Sequence, residues 1–180
     1  MLKKIVVIGP ESTGKSTLSE ELARQYKTTW VPEYAREYMD NLQREYREED
    51  LLQIASGQVA AEENKSREAA GGLLFCDTDL YVIKVWSEYK YNSCHPWVLE
   101  QIARRKYDLY LLTYIDIPWA DDPQREHPQP EMRKYFYDTY RDIVVNSGAP
   151  WADIRGSYVQ RKDSAVKAVN DLLATNRMNV

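Results

Sequence analysis

Ile5-Val6-Val7-Ile8 runs straight into Gly9-Pro10-Glu11-Ser12-Thr13-Gly14-Lys15-Ser16, and that junction limits the possible folds more than any other feature of the chain. Four consecutive β-branched residues suit a strand buried on both faces. The next eight residues match G-x-x-x-x-G-K-[ST], and Leu18, Leu22 and Tyr26 then recur at helical spacing. A strand with two buried faces that feeds a helix belongs in a parallel sheet covered on both sides.

The rest of the chain repeats the alternation. Strands are expected at Thr28–Val31, Leu73–Cys76, Leu109–Thr113 and Trp151–Ile154. Residues 34–70 read as two helices parting near Arg47–Glu49, and helices follow over Leu80–Tyr89 and Trp97–Arg105. Met132, Phe136, Tyr140 and Ile143 trace one further helix face, and Val166, Val169 and Leu173 the last. Residues 117–130 hold four prolines and no apolar period, which marks a loop or lid. With 180 residues and no linker or repeat, one domain spanning 1–180 is expected.

Hydrophobic and charged fractions of 43% and 29% exclude wholesale disorder. A net charge of −4 without a basic stripe argues against a nucleic-acid partner. No leader-like segment opens the chain at Met1–Val7 and no apolar run approaches eighteen residues, so a cytoplasmic protein without a membrane partner is expected. The oligomeric state is left open. Cys76, in an apolar run, reads as a small buried hydrophobe. Cys94-His95 lacks further ligands at a zinc spacing, and His95 and His127 stand far apart.

The chemistry concentrates at strand ends. Gly9, Glu11, Ser12, Thr13, Gly14, Lys15, Ser16 and Thr17 form the expected phosphate cradle, where backbone N–H groups and a helix N-terminus favour an anion. Lys15 should reach the β- and γ-phosphates of ATP, and Ser16 should ligate Mg²⁺. Asp77, just after the third strand, is the expected metal carboxylate. Asp79 contacts an acceptor or caps the helix beginning near Leu80. Glu33 ends the second strand and suits a general base, with Arg36 one turn on, either paired with it or gripping the acceptor. Which of Glu33, Asp77 and Asp79 is the base stays open. Arg125 in the lid is the expected transition-state cation, with Arg133 as a second, and Gly156 to Arg161 are placed beside the adenine. Trp30 and Tyr34 flank Glu33 and could stack on a flat acceptor ring or simply pack.

Together, residues 9–17 (GPESTGKST), 32–38 (PEYAREY), 76–79 (CDTD) and Trp119-Ala120-Asp121-Asp122 with Arg125 resemble the P-loop kinase domain of NadR-type proteins. The resemblance runs from Lys3 to about Leu173. It implies a three-layer α/β/α P-loop nucleoside-kinase-like fold with a five-stranded parallel sheet and a lid. It also implies phosphorylation of nicotinamide riboside by ATP, here without the adenylyltransferase domain that precedes the kinase in many NadR-type proteins. Members place an aromatic residue before the Glu-Tyr pair where this chain has Pro32, so Trp30 or Tyr34 is expected to hold the ring. An ATP-sensing module without a small-molecule acceptor, or a kinase for another nucleoside, is the competing expectation.

Overall fold

The computed structural model describes residues 2–177. Twelve elements follow in order: β1 (Lys3–Ile8), α1 (Lys15–Gln25), β2 (Trp30–Val31), α2 (Tyr34–Asn41), α3 (Glu48–Glu68), β3 (Leu73–Asp77), α4 (Leu80–Tyr91), α5 (Pro96–Arg104), β4 (Leu109–Thr113), α6 (Pro130–Asn146), β5 (Trp151–Ile154) and α7 (Tyr158–Arg177). The five strands form one sheet in the order β2-β3-β1-β4-β5, and every pairing is parallel.

β1 is central, and Ile5, Val6, Val7 and Ile8 are fully buried because both sheet faces are covered. Pleating sends Ile5 and Val7 toward a core shared with Leu18 and Leu22 of α1 and Val169 of α7. Val6 and Ile8 pack on the other face with Val85 of α4 and Phe136, Tyr140 and Val144 of α6. Each such side chain contributes about 1.5–3 kcal/mol of burial, an upper estimate for a chain that is partly collapsed before folding. A third apolar cluster joins α2 to α5 through Ala35, Leu51, Ile54, Ile83 and Val98. No described helix is long and apolar enough to cross a membrane.

The expected elements are present with three adjustments. β2 keeps only Trp30 and Val31, since Thr28 is diverted: its N–H donates to Ala23 O and its hydroxyl to Leu73 O. The break between α2 and α3 is wider than expected and spans 42–47. It is organised by buried Asp50, which accepts from Arg47 N–H at 2.7 Å, from both Arg44 Nη atoms and from the Tyr38 hydroxyl. Those hydrogen bonds hold its carboxyl well below the usual range, against the pull of burial. The lid stops at Gln129, because Pro130 opens α6 at a first-turn position where its missing N–H costs nothing.

All β-strand carboxyl ends face one edge, and there the chain must clear β4. Gly9 has φ 149°, and a Cβ built on it would collide with Thr113 Oγ1 and lie 2.7 Å from Thr113 O. Gly9→Ala is therefore expected to lower unfolding stability by about 2–4 kcal/mol, since backbone must move to admit the methyl. Denaturant unfolding checks this; a loss under 0.5 kcal/mol would show that the loop has slack.

Candidate active site

The loop 9–14 is built by positive-φ residues, Gly9, Ser12 (55°) and Gly14 (78°), with Gly14 the N-cap of α1. It is braced from behind. The buried Thr13 hydroxyl donates to Pro10 O at 2.8 Å and lies 2.7 Å from Thr113 Oγ1. Arg161 of α7 donates to Thr13 O at 3.0 Å and Tyr114 O at 2.8 Å, and pairs with Asp116. Lys15 folds its ammonium onto Pro10 O at 2.9 Å. The first N–H groups of α1 have no intrahelical acceptor, so the loop ends in donors suited to an anion.

The loop floors a cleft of about 630 Å³ whose other walls are α2, the α2–α3 connection, α4, the lid and α6. Glu33, Arg36, Arg125, Lys15 and Ser16 all line it. Glu33 is the N-cap of α2 but its carboxylate caps no N–H, which leaves it for the cleft. Asp77 does not line the wall and sits one layer behind it, 1% exposed, with Oδ1 lacking any hydrogen-bond partner. Burial raises its pKa to about 6 and the Glu33 charge adds to this, while Lys15 and the Ser16 hydroxyl oppose it. Ser16 and Asp77 are hard oxygen donors on one side of the loop, a set suited to Mg²⁺. Among the described residues no group of three or more His, Cys, Asp or Glu could hold a metal ion by itself.

The lid is tied down on both sides. Ser12 Oγ accepts from Ala120 N–H at 2.9 Å, and Arg125 Nη1 lies 3.4 Å from the same oxygen. Glu11 Oε2 accepts from the backbone N–H of Glu126 at 3.1 Å and of His127 at 3.2 Å, so the Glu11 side chain holds the lid while the residue lines the cleft. Arg36 pairs with Asp122 at 3.0 Å and not with Glu33.

Three expected acceptor residues lie elsewhere. Trp30 is in register with Phe75 and packs into the α1/α7 core, because strand parity sends it to that face. Tyr34 turns toward α3, where its ring occupies the space beside Gly57 that a Cβ would need. Asp79 caps α4, accepting from Tyr81 N–H and the Tyr110 hydroxyl, each at 2.9 Å, and burial raises its pKa to about 7. Gly156 and Arg161 do not line the cleft either; Gly156 N–H donates to Asp116 and Arg161 braces the loop.

The aromatic wall comes from residues to which the sequence assigns no site role. Tyr46, Trp86, Tyr89 and His127 line the cleft. Trp86 Nε1 donates to the Tyr46 hydroxyl at 2.9 Å, their rings meet edge-on at 4.8 Å, and Tyr46 donates to Glu126 at 2.8 Å. Local pattern carried no signal for them, since Val82, Val85, Trp86 and Tyr89 fall within about a 100° arc, the width of an ordinary core-facing stripe.

The chain is similar to known proteins over most of its length. The model of a family described as AAA domain matches residues 4–161. The trifunctional NAD biosynthesis/regulator protein NadR of Salmonella typhimurium is 24% identical over 179 residues, covering 96% of this chain and 43% of its own length. The Escherichia coli protein of the same name is 24% identical over 183 residues, with 98% and 44% covered. This chain thus spans under half the length of those relatives. A crystal structure of NadR protein in complex with NR superposes with a TM-score of 0.79 at 28% identity, covering 95% of this chain and 51% of that one. NadR protein with NAD and AMP-PNP gives 0.76 at 26%, with 95% and 49% covered. Deoxyadenosine kinase from M. mycoides with bound dATP shares the fold, with a TM-score of 0.58 at 14% identity over 93% of this chain and 99% of that one.

Proposed function

We propose that this chain, which belongs to the AAA domain family, is an ATP-dependent kinase that transfers the γ-phosphate to a nucleoside hydroxyl, with nicotinamide riboside as acceptor and nicotinamide mononucleotide and ADP as products. The observation that carries the reading is the pairing of a braced phosphate loop with buried Asp77, whose free Oδ1 lies behind Ser16 while Glu33 faces the same cleft. NadR structures holding NR and AMP-PNP, at 28% and 26% identity, support the acceptor and donor classes.

In this reading the loop N–H groups and Lys15 bind the phosphates, and the cradle residues Gly9 to Thr17 fix their position. Ser16 and Asp77 would hold Mg²⁺, which when bound would supply positive charge to the phosphate oxygens. Glu33 takes the acceptor hydroxyl proton as the oxygen–phosphorus bond forms, and the bridging bond breaks with its electron pair leaving on ADP. The lid excludes water, which would otherwise hydrolyse ATP. Tyr46, Trp86 and Tyr89 take the ring-holding task expected of Trp30 and Tyr34, since they offer flat apolar surface opposite the loop.

The test is ADP release by the purified protein with Mg-ATP, with and without nicotinamide riboside, with mass detection of product. Nicotinamide mononucleotide is expected. ATP binding with no transfer to any nucleoside would leave an ATP-sensing module as the reading. Glu33→Gln is expected to lower kcat about 10²–10⁴-fold with ATP affinity retained. Steady-state kinetics beside calorimetric titration separate the two, and unchanged turnover would remove the base role.

A further inference from the structure

The geometry points to Arg133 of α6, not Arg125 of the lid, as the fixed cation that receives the terminal phosphate of the nucleotide. This rests on the kinase reading and deepens it.

Two buried arginines brace the phosphate loop, and they differ in one respect. Arg161 has every nitrogen engaged: Nε on Gly156 O, Nη1 on Thr13 O, and Nη2 on Tyr114 O and Asp116. Its charge is matched. Arg133 is 8% exposed and lines the cleft, and its Nη2 donates to Ser12 O at 3.3 Å and Ile117 O at 3.0 Å. Its Nε is buried with no partner. Among the described residues no carboxylate comes within ion-pairing distance of it. Asp116, the carboxylate that most affects it, is already engaged by Arg161 and Gly156 N–H.

A guanidinium stays protonated at any working pH, so burial without a counter-ion is a standing cost that an incoming anion relieves. Its planar fork suits phosphate oxygens. A purely structural arginine would be finished in the manner of Arg161. Arg133 also stands on a helix, whereas Arg125 stands on the lid, bonded to Ala120 O at 2.5 Å and 3.9 Å from Asp122. Arg125 therefore already has a lid acidic group near it, whereas Arg133 is carried by α6. As the acceptor oxygen bonds to phosphorus and the bridging electron pair departs on ADP, Arg133 neutralises charge on the transferred group.

The experiment compares wild type, Arg133→Met, Arg133→Lys and Arg161→Met by calorimetric titration of ADP and of a non-hydrolysable ATP analogue, with kcat and thermal unfolding alongside. Wild type is expected to bind the triphosphate more tightly than ADP. Arg133→Met is expected to lose that preference with ADP affinity within about 3-fold of wild type, and kcat is expected to fall about 10³-fold. Arg133→Lys should recover part of the preference, since it keeps the charge and loses the fork. Arg161→Met should weaken both nucleotides together and lower the unfolding temperature. Arg133→Met behaving like Arg161→Met, or keeping the triphosphate preference, would overturn the assignment. If wild type transfers phosphate to no nucleoside, the kinase reading fails on its own, and the nucleotide comparison still decides Arg133.

Discussion

Lys15→Ala is expected to lower kcat/KM at least about 10³-fold while leaving the unfolding temperature within a few degrees of wild type. The reason is the asymmetry of what Lys15 touches. It donates to Pro10 O at 2.9 Å, within its own loop, and its side chain is half-buried in the cleft wall. Alanine is a better helix former than lysine, so the first turn of α1 loses nothing locally. The loop keeps its braces from Thr13, Arg161 and Arg133. The charge, in contrast, has no substitute of the same reach on α1. Paired measurement of turnover and thermal unfolding checks this. A variant within tenfold of wild-type turnover would mean that the phosphates bind elsewhere.

The parts of this molecule legible in the sequence are those set by local period or by a motif with backbone requirements. β1, the glycine loop and α1 follow from four β-branched residues, two glycines and a 3.6-residue apolar repeat, and each is found where expected. Asp77 was reachable because a carboxylate directly after a buried strand must sit at the sheet edge. The acceptor side was not reachable in the same way. Trp30 precedes Glu33 by three residues, yet its face is fixed by parity with Phe75 across β2 and β3, a register the sequence does not state. Tyr34 could have been traced through Gly57, since a glycine within a 21-residue helix costs about 0.5–1 kcal/mol and needs a packing reason. Tyr46 and Trp86 meet only after 40 residues of chain have folded between them, so no window of local pattern joins them.

Asp77→Asn separates a functional carboxylate from a structural one, because the two readings give opposite signs for stability. Asp77 is 1% exposed and its pKa stands at about 6, above the ordinary 3.8, chiefly through burial and then through Glu33. The folded state thus holds the Asp77 proton more tightly than the unfolded chain. Between about pH 4 and pH 6 the unfolded chain binds fewer protons, so stability falls as pH rises through that window, by an amount of order 3 kcal/mol for this one group. Asparagine keeps the shape and carries no charge, so the variant without nucleotide or metal is expected to equal or exceed wild type in stability at pH 8, and to match it near pH 4. Turnover should move the other way, falling at least about 10²-fold with a higher Mg²⁺ requirement, since a neutral amide is a poor ligand for a hard cation. Thermal unfolding of both proteins at the two pH values, with turnover across a Mg²⁺ titration, reads both signs. A variant less stable than wild type at pH 8 would make Asp77 a structural group. One that is more stable yet inactive would place its cost in the fold and its use in the chemistry.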